Sequence, residues 1–166
     1  MGFDSETAFE SALIKCLVEE KGWKDGVIKY PTEKDLLDNW AKIIFENNRD
    51  IDRLGDFPMT DGEMAQIMGQ IAKLRTPLNL NGFINGGTVQ IIRDNENDTH
   101  NFKKTISLKI FDRNEIAAGR TRYQIAQQPK FKAKNSIYPN RRGDFCLLIN
   151  GMPVIHVELK KSNVPV

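Results

Sequence analysis

At 166 residues, 40% hydrophobic and 28% charged, the chain has material for one ordinary domain with a real core and too little for a motor or multidomain enzyme. That composition excludes collagen-like, repetitive and disordered classes, and a formal net charge of +2 is too small to establish a nucleic-acid partner. Cys16 and Cys146 lie in apolar stretches without C-x-x-C spacing, which argues for buried thiols and against zinc or disulfides.

No stretch has the length of a membrane-spanning helix, and no basic region followed by an apolar run opens the chain, so a cytoplasmic protein is expected. Positive charge is concentrated in Lys130-Phe131-Lys132-Ala133-Lys134, followed by Arg141 and Arg142, with no acid before Asp144. Taken alone, such a run reads equally as a solvated loop.

From Ser5 to Lys21, Phe9, Ala12, Leu13, Cys16 and Leu17 recur at helical spacing, Thr7-x-x-Glu10 offers a capping box, and Gly22 stops the helix. A second helix is expected from about Thr32, with Leu36, Leu37, Trp40, Ile43, Ile44 and Phe45 as its stripe, giving way at Asn47-Asn48-Arg49-Asp50. Thr60-Asp61-Gly62-Glu63 starts a third, Met64 to Leu74, which Pro77 closes. Beyond Pro77 the composition turns to strands, predicted at 88–92, 106–111, 145–149 and 154–159. Between them lie a polar loop, Asp94-Asn95-Glu96-Asn97-Asp98, and an extended, irregular stretch from Gln127 to Asn140. Helices followed by strands indicate an α+β or mixed α/β domain covering residues 1–166.

The segment richest in chemistry is Asp144, an apolar strand, Asn150-Gly151, a second apolar strand, then Glu158-Leu159-Lys160. Asn-Gly tolerates positive φ and predicts a hairpin. Strand residues alternate faces, so Glu158 and Lys160 point one way and Leu159 the other. A hairpin centred on Gly151 sets Asp144 across from Glu158. Two carboxylates crowded together repel unless a cation lies between them, and their oxygens suit Mg2+; a neighbouring ammonium can orient water and offset phosphate charge. The plainer alternative is that Asp144 caps a strand, with Glu158 and Lys160 on a solvent-facing edge, since E-x-K is a very common tripeptide.

These motifs resemble the PD-(D/E)xK nuclease superfamily, and R-x-D, an apolar strand, N-G-x-P and an apolar strand ending E-L-K are similar to the N-terminal domain of Type I restriction subunits. Ser5-Glu6-Thr7-Ala8-Phe9-Glu10 with Leu13-Ile14, Leu17 and Gly22-Trp23 resembles the family's first helix. Arg122-Tyr123-Gln124-Ile125-Ala126-Gln127-Gln128 resembles its strand before the basic loop, whereas 50–80 adds little. The resemblance implies a restriction-endonuclease-like mixed sheet flanked by helices, truncated at its C-terminus relative to the family's longer subunit. It implies Mg2+ bound by Asp144, Glu158 and the Leu159 carbonyl, with Lys160 serving the water and the transition state. It also admits Glu10 as a ligand, against a structural surface role. His156 shares the face of Glu158 and is expected to pack rather than touch DNA or metal.

Gly143 stands where the superfamily name has proline, and the family pattern continues past E-x-K into a Gln-x-x-x-Tyr helix and motor domains that these residues do not contain. No Walker-type loop occurs, so ATP enters only through those motor domains. The implied partners are double-stranded DNA, held through Lys130, Lys132, Lys134, Arg141 and Arg142 with Phe131 and Tyr138 interleaved, and specificity and methyltransferase subunits. The expected function is cleavage of foreign DNA. A stand-alone repair nuclease, or a catalytically silent DNA-binding or docking domain of a large complex, remains as the alternative.

Overall fold

The computed structural model describes residues 5–112, 114, 119–132 and 141–160, with Arg141 described by its backbone only. The chain divides into two compact units, one built from residues 1–36 and 122–166 and the other from 37–121.

The first unit begins with α1 (Glu6–Glu20), whose N-cap is Ser5; the Ser5 hydroxyl accepts from the Ala8 N–H at 3.1 Å. The expected Thr7-x-x-Glu10 box does not form, because Ser5 already satisfies the first turn and Glu10 faces inward. The helix stops at Gly22, with φ of 81°, while the N–H groups of Lys21 and Trp23 both reach the Leu17 carbonyl. Its inner stripe is Glu10, Leu13, Ile14, Leu17 and Val18, whereas Phe9 is exposed.

A four-stranded mixed sheet follows: β1 (Val27–Lys29), β4 (Tyr123–Gln127), β7 (Phe145–Ile149) and β8 (Met152–Val157), in the order β1-β4-β7-β8. β1 runs parallel to β4, and the other two pairings are antiparallel. The parallel pair requires a crossover from β1 to β4, which runs through α2 (Glu33–Asn47) and the whole second unit. One face of the sheet presents Ile125, Phe145 and Leu147 to Leu13, Ile14 and Leu17 of α1; the other presents Ala126, Cys146 and Leu148 to Leu36 in the first turn of α2. Cys16 and Cys146 are free thiols; desolvation, and then the charge of Glu158, push the Cys146 thiol above its ordinary value. A mixed sheet with helices on its faces is thus in place, although β1 precedes α2 and the order is not helices first.

The second unit contains the rest of α2, α3 (Asp61–Ile71), α4 (Pro77–Ile84) and an antiparallel ribbon of β2 (Thr88–Ile92) and β3 (Thr105–Lys109). Pro77 opens α4 instead of merely closing α3: it stands at the first position of the helix, where its missing N–H is no loss, behind the N-cap Thr76. The ribbon's outer edges are covered by amide side chains. Gln66 donates to the Ile92 carbonyl at 3.0 Å and accepts from the Ile92 N–H at 2.8 Å, while Asn48 makes the same double contact with Lys109 at 2.9 and 2.8 Å.

At the start of α3, Thr60 accepts from the Glu63 N–H at 3.1 Å and Glu63 accepts from the Thr60 N–H at 3.1 Å, a complete capping box. Replacing Thr60 by Ala is expected to lower the unfolding free energy by about 1 kcal/mol. Urea unfolding reads this directly, and an unchanged midpoint would show that the cap is dispensable.

Candidate functional site

The Asn150-Gly151 turn has φ of 50° and 83°, the two positive values that a tight two-residue hairpin requires. Next to the turn the ladder pairs Ile149↔Met152 and Leu148↔Pro153; beyond it come Leu147↔Ile155, Cys146↔His156 and Phe145↔Val157. Val154 is therefore an extra residue, and the bulge moves the far end of the hairpin by one position. Without it, Asp144 would fall opposite Val157. With it, the ladder ends on the pair Phe145↔Val157, and continuing that register by one position would set Asp144 opposite Glu158, the alignment of a hairpin centred on Gly151.

Asn150 fixes this hairpin to β4 from a buried position. Its Oδ1 accepts from the Arg122 N–H at 3.0 Å, and its own N–H reaches the Arg122 carbonyl at 2.8 Å.

At the far end, the half-buried Asp144 carboxylate accepts from the Leu159 N–H, which ties the start of β7 to the residues just past β8. Leu159 packs into the cluster under α1, while Glu158 and Lys160 are exposed. Glu158 faces His156, with Nε2 to Oε1 at 3.1 Å. His156 is not a packed side chain: about half of it is exposed, 51%. Its ring leans over Gly143, where an added Cβ would lie 2.7 Å from Nε2.

Glu10 is buried, so the surface role considered for it does not hold. Its Oε1 accepts from Gln127 Nε2 at 2.7 Å, and both its oxygens take contacts from Gln128 Nε2, at 3.4 and 3.2 Å. Gln128 also donates its backbone N–H to the Asp144 carbonyl at 2.7 Å, so one residue touches Glu10 and Asp144 together. Among the described residues, no three His, Cys, Asp or Glu side chains are grouped closely enough to hold a metal ion. The donor set nevertheless fits a hard divalent ion in kind: two carboxylates at the open end of the β7–β8 hairpin, each one residue past its last pair, and a backbone carbonyl in the same segment, all oxygen.

Of the stretch from Gln127 to Asn140 expected to be extended and irregular, residues 127–132 are described and 133–140 lie outside the described residues. β5 (Lys130–Phe131) pairs antiparallel with β6 (Arg141–Arg142), Lys130 opposite Arg142 and Phe131 opposite Arg141. Lys130, Lys132 and Arg142 are exposed. Lys134 and Tyr138 lie outside the described residues, as does the side chain of Arg141. Sequence reasoning placed Gln127 and Gln128 in a strand segment and Asn150 in the turn without their side-chain contacts, and it did not single out Tyr30. For Glu10 a signal existed: it stands at helical spacing from Leu13, Ile14 and Leu17, an acid on an apolar stripe.

Comparison with known proteins gives a consistent result. The family model for the N terminus of the Type I restriction enzyme R protein matches residues 4–166. The Type I restriction enzyme SsaAORF53P endonuclease subunit of Staphylococcus saprophyticus is 27% identical over 170 residues, spanning 100% of this chain and 16% of the relative. The SauCOLORF180P endonuclease subunit of Staphylococcus aureus strain COL is 27% identical over 168 residues, again 100% of this chain and 16% of the relative. The chain thus spans about a sixth of the length of these curated relatives.

Proposed function

The chain belongs to the Type I restriction enzyme R protein N-terminal family, and we propose that it is the DNA-cleaving module of such a subunit, a PD-(D/E)xK-type nuclease acting with Mg2+ on double-stranded DNA. The observation that supports this reading is the bulged register of the β7–β8 hairpin, which pairs Phe145 with Val157 at its open end, so that Asp144 and Glu158 each lie one residue beyond that pair. Two acids brought together at that end would be unfavourable without compensating charge, and a divalent ion supplies it.

Asp144, Glu158 and the Leu159 carbonyl are the groups that would hold the ion, which when bound supplies Lewis acidity and a more acidic water. Lys160 orients the attacking water and balances charge on the phosphate oxygens. Glu10, held by two glutamine amides, sets the position of Gln128 and through it the backbone at Asp144. The basic ribbon β5–β6 holds the phosphate backbone without reading bases, which leaves sequence choice to a separate specificity subunit in a complex that also contains a methyltransferase. ATP-driven movement belongs to other segments of the subunit. The great length of the relatives beyond the matched part favours this reading over a stand-alone repair nuclease.

One observation favours a second reading, a silent docking or DNA-binding domain: the Glu158 carboxylate is paired with His156. Calorimetric titration with Mg2+ and with Mn2+ separates the two. A nuclease binds the ion and loses that binding in Asp144→Asn; a silent module shows no heat that depends on Asp144 or Glu158.

A further inference from the structure

We propose that Tyr30, Lys130 and Arg142 form a phosphate clamp for the DNA backbone, in which the tyrosine ring holds the two cations together beside the candidate acids; the proposal rests on the DNA-cleaving reading above. It begins with a backbone peculiarity. β1 and β4 pair up to Lys29↔Gln127, and the next residue on each strand, Tyr30 and Gln128, is left-handed, with φ of 56° and 49°. Asparagine or glycine would occupy such a conformation at less cost, and a bulky aromatic there is an outlier. Burial does not explain the choice, because Tyr30 is 49% exposed.

The kink has a definite consequence. The Tyr30 N–H stays on the Gln127 carbonyl at 2.8 Å, and the carbonyl of the next residue, Pro31, accepts the Lys130 N–H, also at 2.8 Å. This brings the Tyr30 ring to Lys130 Nζ, 6.0 Å from its centroid, and to the Arg142 guanidinium, 5.8 Å away. Lys130 and Arg142 face each other across the β5–β6 ladder, where like charges repel. The ring's negative face offsets part of that repulsion. Asp35 is a carboxylate that feels the charge of Lys130, and it is engaged by the N–H and hydroxyl of Thr32 at 2.8 and 2.7 Å. Arg142 is aimed from the other side, its Nη1 donating to Gln128 Oε1 at 3.3 Å.

An exposed aromatic held in a strained conformation, carrying a flexible ammonium and a planar guanidinium at once, suits a phosphodiester. The position agrees, since only Gly143 separates Arg142 from Asp144. A phosphate held there lies next to the bond to be cut, and the ring adds a contact that the basic run alone does not provide.

The test measures binding of the full-length subunit to a short fluorescent duplex of random sequence, by anisotropy across a salt series. Tyr30→Asn keeps the left-handed backbone and removes the ring, so folding is retained while affinity falls about tenfold. The slope of log K against log salt shrinks by about one to two, as phosphate contacts are lost. Tyr30→Phe keeps the ring and binds like the parent. Tyr30→Asn binding with parental affinity and slope overturns the clamp while the nuclease reading stands. A parent subunit that neither binds nor cuts DNA overturns both.

Discussion

Asp144→Ala in the full-length subunit is expected to reduce DNA cleavage by a hundredfold or more, of the order seen when a single charge-stabilising group is removed from an active site. Lys160→Ala should do the same, with ATP hydrolysis largely intact in both variants because no phosphate-binding loop occurs in this chain. Asp144 also accepts the Leu159 N–H, so truncation removes a structural contact along with an ion ligand. Asp144→Asn separates these effects: it preserves size and an acceptor oxygen but not the charge, and should keep the melting temperature while losing cleavage. The measurement is supercoiled plasmid cutting alongside ATPase rate and thermal melting. Cutting at the parental rate in Asp144→Ala would remove this residue from the chemistry, and parallel loss of ATPase and melting temperature would mark it as structural.

Much of this hairpin was legible because its chemistry is local. Asn150-Gly151 specifies a tight turn by itself, and β7 and β2 coincide with the predicted strands at 145–149 and 88–92. The Val154 bulge was not legible, since no residue type demands an extra position, yet it decides that Phe145 pairs with Val157 at the open end of the hairpin. β1 is only three residues long and β4 is held between strands distant in sequence, so their pairing depends on contacts that no local window contains. Pro77 misled for a physical reason: the same fixed φ that ends one helix suits the first turn of the next. His156 and Glu10 were exchanged in character, the histidine exposed and the acid buried, because alternation and helical spacing assign a face but not how deeply that face is covered.

The second unit holds the largest departure from a pattern reading, and with it the largest expected effect on stability. Arg93 follows the β2 run and Asp98 ends a stretch that reads as a polar loop, yet Arg93, Glu63 and Asp98 are all buried. Arg93 Nη1 meets Glu63 Oε2 at 2.7 Å and its Nε meets Asp98 Oδ2 at 2.9 Å, while Nη2 donates to the Phe57 carbonyl at 2.6 Å. Glu63 in turn accepts from the Asp94 N–H at 3.0 Å, so the cap of α3 and the end of β2 share one acid. Arg93→Met would leave two buried carboxylates without their cation and is expected to cost about 3–5 kcal/mol, a large share of an ordinary domain's stability. For Asp98, burial raises the carboxyl pKa, but the Arg93 and Asn101 hydrogen bonds outweigh it and the net shift is downward from 3.8. The folded value lies below the unfolded one, so this stabilisation is complete above the unfolded value and disappears as pH falls through the depressed folded value. In Arg93→Met that pull is gone while burial still raises the Asp98 carboxyl, so acid should cost the variant less stability than the parent and the gap between the two should narrow as pH falls. Urea unfolding across an acid-to-neutral pH series measures both effects, and a double-mutant cycle with Asp98→Asn should return a coupling of about 0.5–3 kcal/mol. An Arg93→Met unfolding midpoint equal to the parent's would mean that this ion network does not hold the unit together.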